Sequence, residues 1–168
     1  ELGEQESIVP HPHPTALFVG RLAVEKNVDV LLKALTMTDP ALNVHAEIIG
    51  DGEQRDTLHR LAEQLGVADR VTFRGLVSDE ELREAYLRAD VFTQPCTAEL
   101  QSLASLEAMS ASTPVVLADA LALPHLVSEG VNGHLFQPNN PEDMAEKMST
   151  VLGASEEQQL AMGQASHQ

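Results

Sequence analysis

Short apolar runs and longer amphipathic runs alternate along the chain. "TALFV" (15–19) is short and apolar, and predicts a buried strand. In "EKNVDVLLKALTM" (25–37), Val28, Leu31, Leu32 and Leu35 fall on one helical face. The spacing then predicts a strand over 43–50, a helix over 53–67 closed near Gly66, and a strand over 70–75 ending at Gly75. A helix follows over 78–89. Ser78 starts it and Glu81 stands three residues later, which is a capping box. Further strands are expected at 90–95, 114–118 and 133–137, and helices at 100–111, 123–130 and 140–153. Pro141 near the start of the last, with acids in its first turn, marks a helix N-terminus.

This strand–helix alternation predicts an α/β fold: a doubly wound parallel sheet with right-handed crossovers. One domain of ordinary size is expected over 15–168, after a polar, Pro-rich leading segment over 1–14. Ligands of such sheets sit beyond the carboxyl ends of the strands. The loops to read are therefore "GRLAVEK", "GDGE", "GLVSD" and "PCTAEL".

Charge narrows the partners. The chain has 26 acidic and 10 basic residues, a formal net charge of −16. That argues against nucleic acid and against an anionic membrane surface. An anion site must then be local, and Arg21 and Lys26 at the mouth of a helix are its candidates. The bland alternative is a solvated pair, with Lys26 bridged to a helix acid. The single cysteine, Cys96, excludes an internal disulfide. There is no signal peptide pattern and no membrane-spanning apolar run, so a cytoplasmic location is expected.

Three other patterns carry candidate chemistry. His11 and His13 could be half a metal site, but no ligand cluster completes it, so no metal is expected. Gly50-Asp51-Gly52 begins like a dinucleotide-binding turn. The third glycine position is Arg55, and Asp51 would repel a pyrophosphate. A tight strand-to-helix turn is the simpler reading. Glu107 stands among Leu103, Leu106, Ala108 and Met109, where a carboxylate needs partners. It either caps backbone groups or pairs with an arginine, or it accepts hydrogen bonds from a sugar diol. N–H groups around Gln101, Ser102 and Leu103 would then hold an anion.

Five segments in order, "GRLAVEKNVDVLLKAL", "IIGDGEQRDTL", "RVTFRGLVSDEELREAYLRADVFTQPC", "AELQSLASLEAMSASTPVV" and "VNGHLFQPNNPEDMAEKM", carry a resemblance. The chain resembles the C-terminal, nucleotide-sugar-binding domain of retaining GT-B glycosyltransferases of the GT4 type. Glu99 and Glu107 match that family's E-x7-E signature. The resemblance implies a Rossmann-like half of a GT-B fold and a nucleotide-diphospho-sugar as donor, with no cofactor and no metal. It implies that Arg21 and Lys26 neutralise the donor diphosphate and that Gly20 forms the tight turn beside it. Glu99 would face the donor sugar and Glu107 the ribose. The backbone at Arg74, Gly75 and Leu76 would meet the base.

Two departures stand out. Leu100-Gln101-Ser102 replaces the Gly-Phe-Gly of many relatives, and Thr113 replaces a glycine. The form of the motifs looks like a subset that includes glycolipid-forming α-glucosyl- and α-mannosyltransferases. The resemblance also implies an acceptor-binding domain ahead of this chain. The chain, ending at "LAMGQASHQ" inside what resembles the family's closing helix, is thus expected to be an excised domain that binds a nucleotide and transfers no sugar by itself, any membrane contact being made through the absent domain. A non-catalytic nucleotide-binding or interaction module and a GT-B epimerase are the competing readings. Phosphorolysis would need a pyridoxal-bearing lysine, and Lys26, Lys33 and Lys147 lie in no obvious cofactor loop.

Overall fold

The computed structural model describes residues 10–99 and 102–167. Six strands form one parallel sheet: β1 (Thr15–Val19), β2 (His45–Ile49), β3 (Val71–Gly75), β4 (Val91–Gln94), β5 (Val115–Ala118) and β6 (Gly133–Phe136). Their order is β3-β2-β1-β4-β5-β6. The helices are α1 (Val28–Leu35), α2 (Arg55–Gln64), α3 (Asp79–Arg88), α4 (Leu103–Ser110), α5 (Pro141–Leu152) and α6 (Glu156–His167). α1 packs with α2 and α5, while α4 packs with α3 and α6. Helices thus cover both sheet faces, which is why β4 and β5 are buried along their whole length. Phe18, Ile48, Phe92, Leu117 and Phe136 form the middle of the core.

The expected doubly wound sheet is the one observed, and the capping box at Ser78 and Glu81 forms as read. Two helices differ from expectation. The run expected over 25–37 is split: a 3₁₀ turn covers Val24–Lys26, and α1 starts only at Val28. Asn27 between them has φ 55°, a left-handed conformation that ends the first turn. The helix expected over 123–130 is a 3₁₀ turn over Leu123–Leu126. The Asn132 side chain takes Ser128 N–H (2.7 Å) and donates to Leu126 O (2.9 Å), which draws that backbone out of a helical pattern.

A carboxylate sits inside the sheet. Glu47 in β2 is 3% exposed. One of its oxygens accepts from Arg74 Nη1 at 2.5 Å and Arg88 Nη2 at 2.6 Å. His11 Nε2 stands 3.4 Å from the other oxygen, short of a well-formed hydrogen bond. Burial alone would raise the pKa of Glu47. The contacts with His11, Arg88 and Arg74 overcome this and hold it at about 2. His13 stacks on His45 with ring centroids 4.3 Å apart. The two leading histidines therefore pack against the domain. Among the described residues no cluster of His, Cys, Asp or Glu is placed to hold a metal.

Candidate functional site

The strand order reverses direction between β1 and β4. The chain leaves these neighbouring strands in opposite directions, opening a crevice at their carboxyl ends. The loop after β1 carries Gly20, Arg21 and Lys26, and the loop after β4 carries Glu99. Across the crevice Lys26 Nζ meets Glu99 Oε1 at 2.7 Å, with both side chains largely buried. The structure thus brings together two candidates that lie 73 residues apart in the chain. Arg21 is open to solvent. Its guanidinium pairs with Glu53 at 3.2 Å, and both side chains are more than half exposed. Such a pair is worth little and gives way easily.

The glycine-rich turn explains how the cationic loop is held. Gly20 N–H donates to Ile49 O, Leu22 N–H to Asp51 O and Gln54 N–H to Leu22 O, each at 2.9–3.0 Å. At Gly50, φ is +138°, and an added Cβ would lie 1.8 Å from Gly20 O. At Gly52 it would lie 2.5 Å from Leu22 O. "GDG" is therefore a packing surface for the loop that carries Arg21 and Lys26, which settles the simpler reading of that turn. Gly50→Ala is expected to destabilise the chain by about 3 kcal/mol, combining left-handed strain with overpacking. Gly66→Ala, also at positive φ but with nothing within 4 Å, serves as control and costs less. Equal denaturation midpoints for the two variants would refute the close packing.

The other candidates lie at the end of β3 and on α4. Gly75 ends β3 with φ 70°, and Leu76 beyond it is 82% exposed. The Arg74 side chain is committed to Glu47 and Glu81, so backbone is what this turn offers a ligand. Gln101 lies outside the described residues. Ser102 is buried and caps α4, accepting from Ser105 N–H at 3.1 Å. The N–H groups of Leu103 and Ala104 belong to the first turn of α4 and have no acceptor within the helix. Glu107 is exposed on α4 and lines a groove of about 840 Å³ between α3 and α4, with Asp79, Arg83, Tyr86 and Leu103. Burial, then the charge of Glu107, raises the pKa of the Tyr86 phenol well above its ordinary range.

The family model for glycosyl transferases group 1 matches residues 4–168. The chain belongs to this family. This glycosyl transferases group 1 chain is 37% identical over 150 residues to a D-inositol 3-phosphate glycosyltransferase of Mycolicibacterium smegmatis, covering 86% of this chain and 34% of that protein. It is 38% identical over 136 residues to an uncharacterized glycosyltransferase of Methanocaldococcus jannaschii, covering 81% of this chain and 35% of that protein. It therefore spans about a third of the length of these curated relatives. Among solved structures, Anabaena HepE in complex with UDP and glucose is similar at a TM-score of 0.84 and 26% identity, over 99% of this chain and 45% of that one. The sheet is the Rossmann-like half of a GT-B fold. No helix among the described residues is long and apolar enough to cross a membrane.

Sequence reasoning missed Glu53, the partner of Arg21, and Asn27 and Thr97, which lie between the two loops. Their signal is purely spatial, since each meets a residue distant in sequence.

Proposed function

We propose that this chain is the donor-binding domain of a retaining glycosyltransferase, which moves a hexose from a nucleotide-diphospho-sugar to a lipid or saccharide acceptor held by a second domain. The observation that carries this reading is the Lys26–Glu99 contact at the strand-switch crevice, with Arg21 on the same loop. In a chain of net charge −16, cations at that point have a local purpose. As the bond to the donor phosphate breaks, negative charge grows on the leaving diphosphate. Lys26, held at Glu99, and the first-turn N–H groups of α4 are in place before the reaction. Arg21, whose exposed pair with Glu53 gives way easily, joins them in stabilising that charge. A diphosphate entering the crevice competes with Glu99 for Lys26 and leaves the Glu99 carboxylate free to accept from sugar hydroxyls. Glu107 accepts from the ribose diol, with the base against the turn at Gly75 and Leu76. UDP in the Anabaena relative makes uridine diphosphate the first nucleotide to try.

The test is calorimetric titration of the chain with UDP, GDP and ADP. Binding of one of them, weakened at least about 100-fold by the double substitution Arg21→Ala/Lys26→Ala, is expected from the loss of two charge-assisted contacts. Undiminished binding by the double variant would overturn the assignment of the site. Failure of all three nucleotides to bind, in this chain and in the longer protein, would favour a scaffold over a donor domain.

A further inference from the structure

Asn27 immediately follows Lys26 and precedes α1. It stands at the N-cap position, where an asparagine side chain ordinarily accepts from the first helical turn. Here it makes no such bond. It also holds φ 55°, ψ 36°, a left-handed conformation that glycine adopts freely and asparagine more readily than other side chains. Its amide is used elsewhere. Nδ2 donates to Pro95 O and to Thr97 Oγ1, both at 3.3 Å, across the crevice. One amide nitrogen has two hydrogens, one for each acceptor.

A second tie lies beside it. Cys96 Sγ donates to Glu25 O at 3.2 Å and accepts from Ala98 N–H at 3.4 Å. Burial pushes the Cys96 thiol up, so it keeps the proton it donates. Three consecutive residues thus each find a partner in one short segment: Glu25 with Cys96, Lys26 with Glu99, and Asn27 with Pro95 and Thr97. At a strand switch the two loops lead their chains apart, so contact between them needs ties of this kind.

We infer that Asn27, seconded by the Cys96 thiol, is a positioning residue that fastens the loop after β4 to the loop after β1 and so sets Lys26 opposite Glu99. Its catalytic meaning rests on the donor-domain reading; the tie itself does not. The lysine and glutamate are then presented as one preformed unit. A bound diphosphate meets a cation already in place.

Asn27→Gly tests this, because glycine keeps the left-handed backbone and removes the amide. Asn27→Asp stands beside it, since it keeps the side-chain shape and loses the N–H donors without loosening the backbone. The first measurement is amide hydrogen exchange in the chain without ligand. The N–H groups of Lys26 and Ala98 are expected to exchange about tenfold faster in each variant, while those of β1 and β4 hold their rates. Unchanged exchange at both loop amides would overturn the tie, whether or not any nucleotide binds. The second is a double-mutant cycle with Lys26→Ala, read as affinity for UDP and GDP, with the parent nucleosides as controls. Asn27→Gly alone is expected to weaken the diphosphate about tenfold and leave the nucleoside unchanged. In the Lys26→Ala background it should cause no further loss. Additive losses would overturn the positioning role. If UDP, GDP and ADP all fail to bind, in this chain and in the longer protein, the donor-domain reading fails, and the exchange result alone decides the tie.

Discussion

On the donor-domain reading, Lys26→Ala in the longer protein is expected to lower glycosyl-transfer turnover by about 10²–10³-fold and to leave the domain folded. The magnitude is that of removing one fixed group aimed at developing charge, about 3–4 kcal/mol of transition-state stabilisation. Lys26 is well placed for such an effect. Its side chain is 24% exposed, its partner's 13%, so its charge acts through less water than that of Arg21. Arg21→Ala, at 68% exposure, should do less. The fold should survive because neither residue belongs to the core cluster. The cost in stability is confined to Glu99, left without its cation. The check is kcat at saturating donor, read beside a melting curve. Near-normal turnover in a folded Lys26→Ala enzyme would remove Lys26 from the mechanism.

The largest effect on stability is expected at Glu47. Glu47→Ala should cost about 3–5 kcal/mol, because Arg74 and Arg88 would be left facing each other over buried space. The acid dependence follows from the same contacts. The folded pKa of about 2 lies below the reference value of 4.5. Glu47 therefore contributes stability that is fully present above about 4.5 and is lost as pH falls through about 2. That contribution is about 3 kcal/mol. Denaturant unfolding at pH 7 and pH 3 should show a fall in stability that shrinks in Glu47→Gln. The same fall in both proteins would assign the acid sensitivity to other carboxylates. The groups facing Glu47 are His11, Arg74 and Arg88, from the leading segment, β3 and α3.

Much of this was legible in one dimension. Alternating short apolar and amphipathic runs are local signals, and they led to the right sheet. Ser78 with Glu81, and Pro141, marked helix starts because capping is settled within four residues. Lys26 and Glu99 could be nominated from motifs. That they touch could not, because their contact depends on which strands become neighbours. Asn27 shows the limit most clearly. Periodicity runs smoothly through it from Glu25 to Leu35, yet its backbone is left-handed and its side chain serves a loop 68 residues away. Glu47 is hidden for a similar reason. "HAEII" reads as an ordinary strand, and only the return of Arg74 and Arg88 makes a buried carboxylate tolerable. Gly50 and Gly52 look like a damaged cofactor fingerprint until Gly20 and Leu22 are seen against them.

The β1–β4 pairing has a consequence for how ligand and fold are linked. On one side lie β1, β2 and β3; on the other, β4, β5 and β6. The domain is two three-strand halves meeting along one seam, where Ala16 faces Val91 and Leu17 faces Phe92. The first half supplies Arg21 and Lys26, the second Glu99 and Glu107. On the donor-domain reading, any fluctuation that parts the seam dismantles the proposed site at the same moment. A molecule that grips both loops then acts as a rivet through the seam, and at 100 times its dissociation constant it would add about 2.7 kcal/mol to the stability of the whole.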